Sequence, residues 1–185
     1  MFNNLYYLYQ RYIIKRLNSE QRIYFDNYLI PKYVKNDLNI LFIGIAWYNK
    51  WIFKKYKKTN WVTIDPSPES QKFGAQNHTI GNFPNDIKTS LYKEKFDIII
   101  FNGVYGWGIN CEDTFKKSIK KMYETLKPNG LVLFGYNTEI TKNPISKKKL
   151  YDIIHENFIS HIDREIQTER TIKDKHIFCI LQKLG

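Results

Sequence analysis

The sequence predicts an α/β domain with a mostly parallel, seven-stranded sheet, helices on both faces and a C-terminal antiparallel β-hairpin. Two observations lead to this prediction. From Asn39 onward, short apolar runs of strand length alternate with helical stretches, as in sheets built from βα units. The last two strand-like runs, 158–168 and 176–182, are separated by the charged turn 173–175, which is typical of a hairpin. Five βα units and one hairpin account for the seven strands.

The predicted elements after Asn39 are, in order, strand 39–45, helix 47–58, strand 61–65, short helix 68–75, strand 78–81, strand 95–103, a helix capped by Asn110, strand 131–135, helix 146–157 and the hairpin. Residues 39–45 are almost wholly apolar, as in a strand buried on both faces. The unbroken apolar run from Phe96 to Phe101 gives the strongest strand signal. Residues 127–130 (KPNG) end the helix that Asn110 begins and turn the chain into the next strand.

The segment before this domain, residues 1–37, is predicted to hold one or two helices, and residues 38–185 form the main domain. Apolar and aromatic side chains recur at helical spacing over residues 5–17. Ser19 is positioned to cap a second helix, which is expected to end before Pro31. Three roles stay open for this segment: a lid over the site, a helix on a membrane surface, or packing against the outer helices.

Length, composition and cysteine content distinguish a folded domain from disordered, disulfide-rich and membrane-spanning proteins. The 185 residues correspond to one domain, and the hydrophobic fraction of 43% excludes general disorder. Cys111 and Cys179 have neither a metal-binding spacing nor a disulfide pattern, so a reducing, cytoplasmic location and no metal are expected. No run approaches the ~20 apolar residues of a transmembrane helix. Arg11, Lys15 and Arg16 interrupt the only candidate region for a secretory signal.

The net charge of +11 indicates which kinds of binding partner the protein could attract. Such a charge favours nucleic acid, an anionic membrane face or a phosphorylated substrate. The basic residues are nevertheless spread along the chain rather than gathered in one block. A coding bias toward Lys, Asn, Ile and Tyr explains the charge equally well. Weak nucleic-acid binding and peripheral membrane contact therefore stay open, and so does the oligomeric state.

Candidate ligand-binding residues stand where the predicted strands end. Ligands of parallel sheets bind beyond the carboxyl ends of the strands, at the point where strand order reverses. Gly44 ends the first strand, where a backbone without Cβ can approach a ligand. Asp65 ends the second strand, where a carboxylate can accept hydrogen bonds from both ribose hydroxyls. Residues 81–83 follow the third strand and offer an amide and a ring for adenine. Asn102 ends a buried strand, and a buried amide there needs partners.

These residues lie in segments that resemble the motifs of the Rossmann-like S-adenosylmethionine-dependent methyltransferases, over roughly residues 38–183. Residues 40–49 (ILFIGIAWYN) resemble the glycine-rich first motif of this family. Asp65 in VTIDPSPE matches its ribose-binding acid, and Gly81-Asn82 resembles its adenine-contacting Gly-Asp pair. The sequence departs from the pattern where Ala46-Trp47-Tyr48 follow Gly44 in place of further glycines, and bulk there is expected to crowd the methionine end of the cofactor.

Two later segments carry the resemblance further. Residues 96–108 (FDIIIFNGVYGWG) resemble the fourth motif, whose backbone lines the cofactor and substrate pocket. Residues 126–134 (LKPNGLVLF) resemble the "LKPGG" turn and fifth strand of the family, and they are its most specific signal. The terminal hairpin is also a feature of the family, and it distinguishes these enzymes from dinucleotide-binding dehydrogenases.

The resemblance implies S-adenosylmethionine as the cofactor and supplies the candidate site residues. The expected cofactor-binding residues are Gly44, Ile45, Ala46, Asp65, Pro66, Gly81, Asn82, Phe83, Asn102 and Gly103. The candidates for holding or deprotonating an acceptor come from the loops after the fourth and fifth strands, and they are Asn102, Tyr105, Tyr136 and Asn137. The four histidines are assigned separate structural roles rather than a metal cluster.

The leading functional hypothesis is therefore methylation of a small molecule or sugar at oxygen or nitrogen. The short chain leaves little room for a domain that recognises a macromolecule. The first alternative is a methyltransferase acting on nucleic acid, chiefly RNA, which the charge and the aromatic content favour. The second is a methyltransferase-like module without catalysis, which the eroded first motif favours. Fold alone cannot choose between them.

Overall fold

A computed structural model of the protein describes residues 19–139, 145–168 and 173–183. In this part of the chain, one sheet contains seven strands. The strands are β1 (Asn39–Ile43), β2 (Asn60–Asp65), β3 (Asn77–Ile80), β4 (Phe96–Asn102), β5 (Leu126–Asn137), β6 (Phe158–Gln167) and β7 (Lys175–Lys183). Their spatial order is β3-β2-β1-β4-β5-β7-β6.

The sheet confirms the predicted fold class. Strands β1 to β5 pair in parallel, whereas β7 runs antiparallel to both β5 and β6. The chain moves outward from β1 to β3 on one side and from β4 to β6 on the other. The strand order therefore reverses between β1 and β4, and a crevice forms beyond the carboxyl ends of those two strands.

Helices cover both faces of this sheet. The α-helices are α1 over residues 20–33, α2 (Lys50–Lys55), α3 (Thr89–Tyr92), α4 (Glu112–Thr125) and α5 (Lys147–His155). Short 3₁₀ turns, Trp47–Asn49 and Pro68–Lys72, follow the ends of β1 and β2. Side chains alternate between the faces with the period of a strand, so Leu41 packs in one core while Phe42 packs in the other. The core around Leu41 contains α4 and α5, and the core around Phe42 contains α1 and α2.

The prediction that the helix after Ser19 ends before Pro31 is wrong. Helix α1 continues to Tyr33, and its middle part, Phe25–Leu29, is a π-helix. Ile30 N donates to Phe25 O across this wider turn. Proline removes one helical donor and clashes with the carbonyl four residues earlier. A π-turn rearranges the carbonyls just before the proline, which allows the helix to pass through it.

Two helix boundaries also differ from the sequence prediction. The N-cap of α4 is Cys111 rather than Asn110, and Cys111 has an extended backbone at φ −131°. The helix predicted over 47–58 begins as a 3₁₀ turn and ends at Lys55. The helix predicted over 5–17 lies outside the described residues. Among the residues that are described, no helix combines the length and apolar character needed to cross a bilayer.

Candidate cofactor and acceptor site

A cavity of about 280 Å³ lies at the carboxyl ends of the central strands. Its floor is formed by residues that end β1, β2 and β4, and its far wall by β5 and β7. Helix α1 covers one side with Ser19, Gln21, Arg22 and Phe25. The cavity therefore lies at the switch point where the topology predicts a ligand. Gly44, Asp65 and Asn102, which the sequence singled out, all line it.

Two glycines let the backbone approach this cavity. Gly44 has φ +73° and Gly103 has φ +71°, in the left-handed region that other residues rarely adopt. A Cβ atom on Gly44 would lie 2.5 Å from Cγ2 of Val104, whereas a Cβ on Gly103 would meet no atom within 4 Å. Gly44 is therefore required both by its backbone angle and by close packing. Gly103 is required by its backbone angle alone, and it leaves open space beside the cavity.

Asp65 places a carboxylate at the end of β2 that faces the cavity. Its Oδ2 accepts a hydrogen bond from Ile45 N at 3.1 Å, and its Oδ1 accepts one from Ser67 N at 2.8 Å. A carboxylate offers about four lone-pair sites, so two amide donors leave capacity for two more. Asp65 thus joins the turns after β1 and β2, and it can still accept hydrogen bonds from a pair of ligand hydroxyls.

Of the two bulky residues after Gly44, Tyr48 lines the cavity and Trp47 does not. Trp47 is 43% exposed, and it does not belong to the described cavity lining, whereas Ala46 and Tyr48 do. Asn49 is buried below this turn, and its Oδ1 accepts a hydrogen bond from Ala46 N at 2.8 Å. The turn is therefore held from beneath by Asn49, and only the Tyr48 side of the aromatic pair narrows the space.

The predicted adenine segment lies next to Asp65 rather than in the cavity lining. Gly81 N donates to Asp65 O at 3.0 Å, and Asn82 N donates to Asp86 Oδ2 at 2.7 Å. Phe83 is buried in the core, with its ring centroid 6.2 Å from that of Phe101. Pro66 is exposed on the turn after β2. Gly81, Asn82, Phe83 and Pro66 are thus outside the cavity lining. Ile45, in contrast, lines the cavity beside Gly44.

The four predicted acceptor-side residues separate into two pairs. Asn102 and Asn137 line the cavity. Tyr105 and Tyr136 lie in the core beneath it, and their ring centroids are 6.1 Å apart. Burial raises the pKa of Tyr136 to about 12, and its hydroxyl is 3.2 Å from that of Tyr151. Its phenol is therefore protonated at neutral pH.

His176 joins the two asparagines, and the sequence reasoning missed it. Its Nε2 lies 3.0 Å from Oδ1 of Asn102, and its Nδ1 lies 3.1 Å from Oδ1 of Asn137. The side chain is 6% exposed and lines the cavity. One signal was available in the sequence, because an antiparallel pairing of 131–137 with 176–182 places His176 opposite Asn137, as the observed register does.

Arg22 contributes the positive charge of the wall formed by α1. Its guanidinium carbon lies 4.4 Å from the ring centroid of Tyr48, and its Nη2 donates to Tyr48 O at 3.1 Å. Its Nε donates to Asp26 at 2.5 Å. A guanidinium has five N–H donors, so these two bonds leave donors for an anionic group.

Comparison with known proteins identifies the fold. No protein-family model matches the chain, and no curated protein sequence matches it. Among solved structures, a TehB-like S-adenosylmethionine-dependent methyltransferase from Corynebacterium glutamicum superposes with a TM-score of 0.65 at 16% identity, over 97% of each chain. The N-methyltransferase NodS from Bradyrhizobium japonicum, in complex with S-adenosyl-L-homocysteine, superposes with a TM-score of 0.64 at 14% identity, over 90% of each chain.

A third neighbour is 1,6-didemethyltoxoflavin-N1-methyltransferase from Burkholderia thailandensis, with bound 1,6-didemethyltoxoflavin and S-adenosylhomocysteine. It matches with a TM-score of 0.62 at 9% identity, over 100% of this chain and 90% of its own. All three neighbours are methyltransferases, and they share their architecture with this chain at low sequence identity. The chain therefore has the Rossmann-like methyltransferase fold.

Proposed function

We propose that this protein is an S-adenosylmethionine-dependent methyltransferase that methylates oxygen or nitrogen of a small-molecule acceptor. The observation that carries the proposal is the position of the Asp65 carboxylate. It lies beside the Gly44 turn, in one cavity at the switch point of a methyltransferase fold. Fold alone does not give function, so the argument depends on whether these residues fit the cofactor.

The residues at this end of the cavity match the chemistry of the cofactor. Asp65 has acceptor capacity left for the two ribose hydroxyls. The open space beside Gly103 admits a ligand close to the backbone. Arg22 has donors left for the carboxylate of the cofactor. When bound, S-adenosylmethionine supplies an electrophilic methyl group. The adenine contact assigned to residues 81–83, behind Asp65, stays a prediction.

Alignment of the cofactor with the acceptor accounts for much of the rate enhancement expected in such a site. Holding two reactants in line is worth about 7–11 kcal/mol of barrier. Helix α1 closes one side of the cavity, and closure of a site excludes water and strengthens the electrostatic contacts inside. At the far end, Asn102 and Asn137 line the cavity beyond the carboxyl ends of β4 and β5. These are the residues that orient the acceptor in this proposal.

A small acceptor fits the dimensions and lining of the cavity. Phe25, Phe42 and Phe178 supply apolar surface between the two polar ends. The enclosure by α1 leaves room for a compact molecule, as the neighbour that methylates 1,6-didemethyltoxoflavin requires. A sugar acceptor is included in the proposal, and RNA is the alternative acceptor. A cytoplasmic location is part of the same proposal.

The proposed lid consists of the N-terminal segment, residues 1–37. Its described part, α1, belongs both to the cavity wall and to the core, because Phe25, Leu29 and Ile30 are almost fully buried. Lys32 Nζ anchors the helix to Oδ1 of Asp163 on β6 at 2.8 Å. Deleting α1 is therefore expected to unfold the domain. A lid function is tested more directly by removing residues 1–18 alone.

Calorimetry with S-adenosylhomocysteine tests the proposed function. Asp65→Asn keeps the size of the side chain but removes its charge, so affinity should fall by about 1.5–3 kcal/mol, the range for hydrogen bonds to a charged group. That loss corresponds to roughly 10- to 100-fold in Kd. The control is Asp152→Asn, because Asp152 is exposed on α5 and lies outside the cavity lining. Equal binding by wild type and Asp65→Asn, or no binding to either at millimolar ligand, would contradict the proposal.

A further inference from the structure

One aromatic residue of the cavity lining, Trp107, keeps much of its ring exposed. The phenylalanines of the lining, Phe25, Phe42 and Phe178, are almost fully buried and are covered by the core behind the cavity. Trp107 is 55% exposed. An indole is a large apolar surface with a polar N–H, and it contributes binding energy when a ligand covers it. Trp107 therefore offers the cavity an aromatic surface that the core does not use.

The loop that carries Trp107, residues 103–109, holds the indole at a defined place. Tyr105 and Ile109 are buried and anchor the loop in the core. Trp107 N and Ile109 N both donate to Val104 O, each at 3.1 Å, so the tip of the loop is a closed turn. The backbone of Trp107 is thus positioned before a ligand binds. Contacts that are preorganised in this way lose less conformational entropy on binding.

Strand order places this loop on the side of the cavity away from Asp65. Asp65 ends β2 and the loop follows β4, while β1 lies between these two strands in the sheet. Neighbouring strands are about 4.8 Å apart, so the ends of β2 and β4 are separated by roughly 10 Å. The cofactor contacts proposed for Asp65 and the Gly44 turn belong to β2 and β1. The β4 side, with Trp107, is therefore left for the acceptor.

The polar side chains on this side of the cavity are bonded to one another. Oδ1 of Asn102 lies 3.0 Å from Nε2 of His176, and Oδ1 of Asn137 lies 3.1 Å from Nδ1 of the same ring. Asn137 Nδ2 donates to Asp174, a fully buried carboxylate that also accepts from Thr168 Oγ1 at 2.6 Å. These contacts fix the shape of the wall and use much of its hydrogen-bonding capacity. A sugar, whose several hydroxyls each need a partner when buried, is poorly served by such a wall.

We propose that Trp107 is a specificity-determining residue that stacks its indole on the acceptor, and that the acceptor is a planar aromatic or heteroaromatic ring bearing the oxygen or nitrogen to be methylated. This inference rests on the proposed function and names the substrate class of the same cavity. Aromatic rings stack face to face with an offset, or edge to face, and both arrangements need a flat partner for full contact. The apolar surfaces of Phe25 and Phe178 in the same lining suit such a ring as well.

Calorimetric titration of 2-naphthol and of 6-aminoquinoline into the full chain saturated with S-adenosylhomocysteine tests the stacking contact. Trp107→Leu keeps an apolar side chain but removes the ring, so Kd should rise by roughly 5- to 100-fold, the range for a base stacked on an aromatic residue. Trp107→Phe retains a ring and should recover most of the affinity. Trp47→Leu is the matched control, because Trp47 is a 43% exposed indole outside the described cavity lining, and this variant should bind as wild type does.

Three results of this titration would overturn the inference. The first is equal affinity of wild type and Trp107→Leu for both compounds, or no binding of either compound to wild type. The second is tighter binding of decahydro-2-naphthol or methyl glucoside than of 2-naphthol, because these rings are not planar. The third is a loss of S-adenosylhomocysteine affinity in Trp107→Leu as large as that in Asp65→Asn, which would place the indole on the cofactor. Failure of wild type to bind S-adenosylhomocysteine overturns the proposed function instead.

Transfer of a labelled methyl group to the same two aromatic compounds separates a contact role from a structural one. Trp107→Leu should raise KM and leave kcat nearly unchanged, the pattern expected when a contact made equally in the ground state and the transition state is removed. Its melting temperature should match that of wild type, since the side chain is largely exposed. A lower kcat at unchanged KM, or no transfer by wild type to either compound, would overturn the inference.

Discussion

The two ends of the cavity are built in different ways. At the β1–β2 end, Asp65 is bonded to Ile45 and Ser67, so its contacts join two turns through main-chain donors. At the β4–β5–β7 end, the His176 ring is hydrogen-bonded to the side chains of Asn102 and Asn137, which lie 74 and 39 positions away in the sequence. One end consists of a single carboxylate held by the main-chain donors of two neighbouring turns. The other is a network that needs particular side chains from three strands.

This difference has a consequence for what each end can recognise. Main-chain turns around one acidic residue suit a ligand that is the same in every reaction, such as a cofactor. A network of side chains can change from one chain to another without altering the strands, and it therefore suits an acceptor that differs between enzymes. In this protein, Asn137 and His176 are buried and Asn102 is partly buried, so the hydrogen bonds between them fix their positions in advance.

The largest expected effect comes from breaking the network at its most buried member. Asp174→Ala leaves the donors of Asn137, Thr168 and Glu139 without their carboxylate. Asn137 and Thr168 are buried, whereas Glu139 is exposed. Each unsatisfied buried group costs about 1–3 kcal/mol, so the free energy of unfolding should fall by roughly 2–5 kcal/mol. Urea unfolding measures this change. Asp152→Ala, on the exposed face of α5, should stay within about 0.5 kcal/mol of wild type. Equal stability of the two variants would show that the network contributes nothing to the fold.

The same contrast explains which parts of the molecule the sequence predicts. Gly44 and Asp65 were found because each follows its own strand directly, and the cavity does include both. The sequence could not assign Tyr105 to the cavity wall or to the core, because an aromatic residue suits both places. The structure buries it in the core. His176 was missed because a hydrogen bond across 74 residues leaves no local pattern. Helix α1 was cut short at Pro31 because a π-turn has no recognised sequence signal.

A smaller effect is expected from adding one methyl group at Gly135. Gly135→Ala places a Cβ where Asn102 and His176 meet, and overpacking of this kind costs about 1–3 kcal/mol. Gly108→Ala is a matched control, since a Cβ there has its nearest neighbour at 4.0 Å. That variant should be neutral or gain up to about 1 kcal/mol through the lower entropy of its unfolded chain. Thermal unfolding of both proteins provides the comparison, and similar melting temperatures would mean that the two asparagine–histidine contacts do not depend on Gly135.

The smallest effect is expected at Asp163, which anchors the helix that covers one side of the cavity. Burial by itself raises the pKa of this carboxyl, but hydrogen bonds from Lys32 and Tyr24 outweigh burial and hold the pKa below its usual value. A group with a depressed pKa stabilises the fold above its unfolded pKa, near 3.9 for aspartate, and the contribution disappears as pH falls through the folded value. Lys32 is more than half exposed, so solvent screening reduces the contribution of this pair.

Asp163→Asn should therefore lower the free energy of unfolding by about 0.5–1 kcal/mol at neutral pH, after allowing for screening. The difference from wild type should shrink as the solution is acidified below pH ~4, because protonation of Asp163 removes the same charge from the wild-type protein. Urea unfolding at a series of pH values measures both quantities. Affinity for S-adenosylhomocysteine should not change, since Asp163 lies outside the described cavity lining. A loss of affinity as large as that of Asp65→Asn would show that α1 couples the anchor to the cofactor end, and the two ends would then no longer be independent.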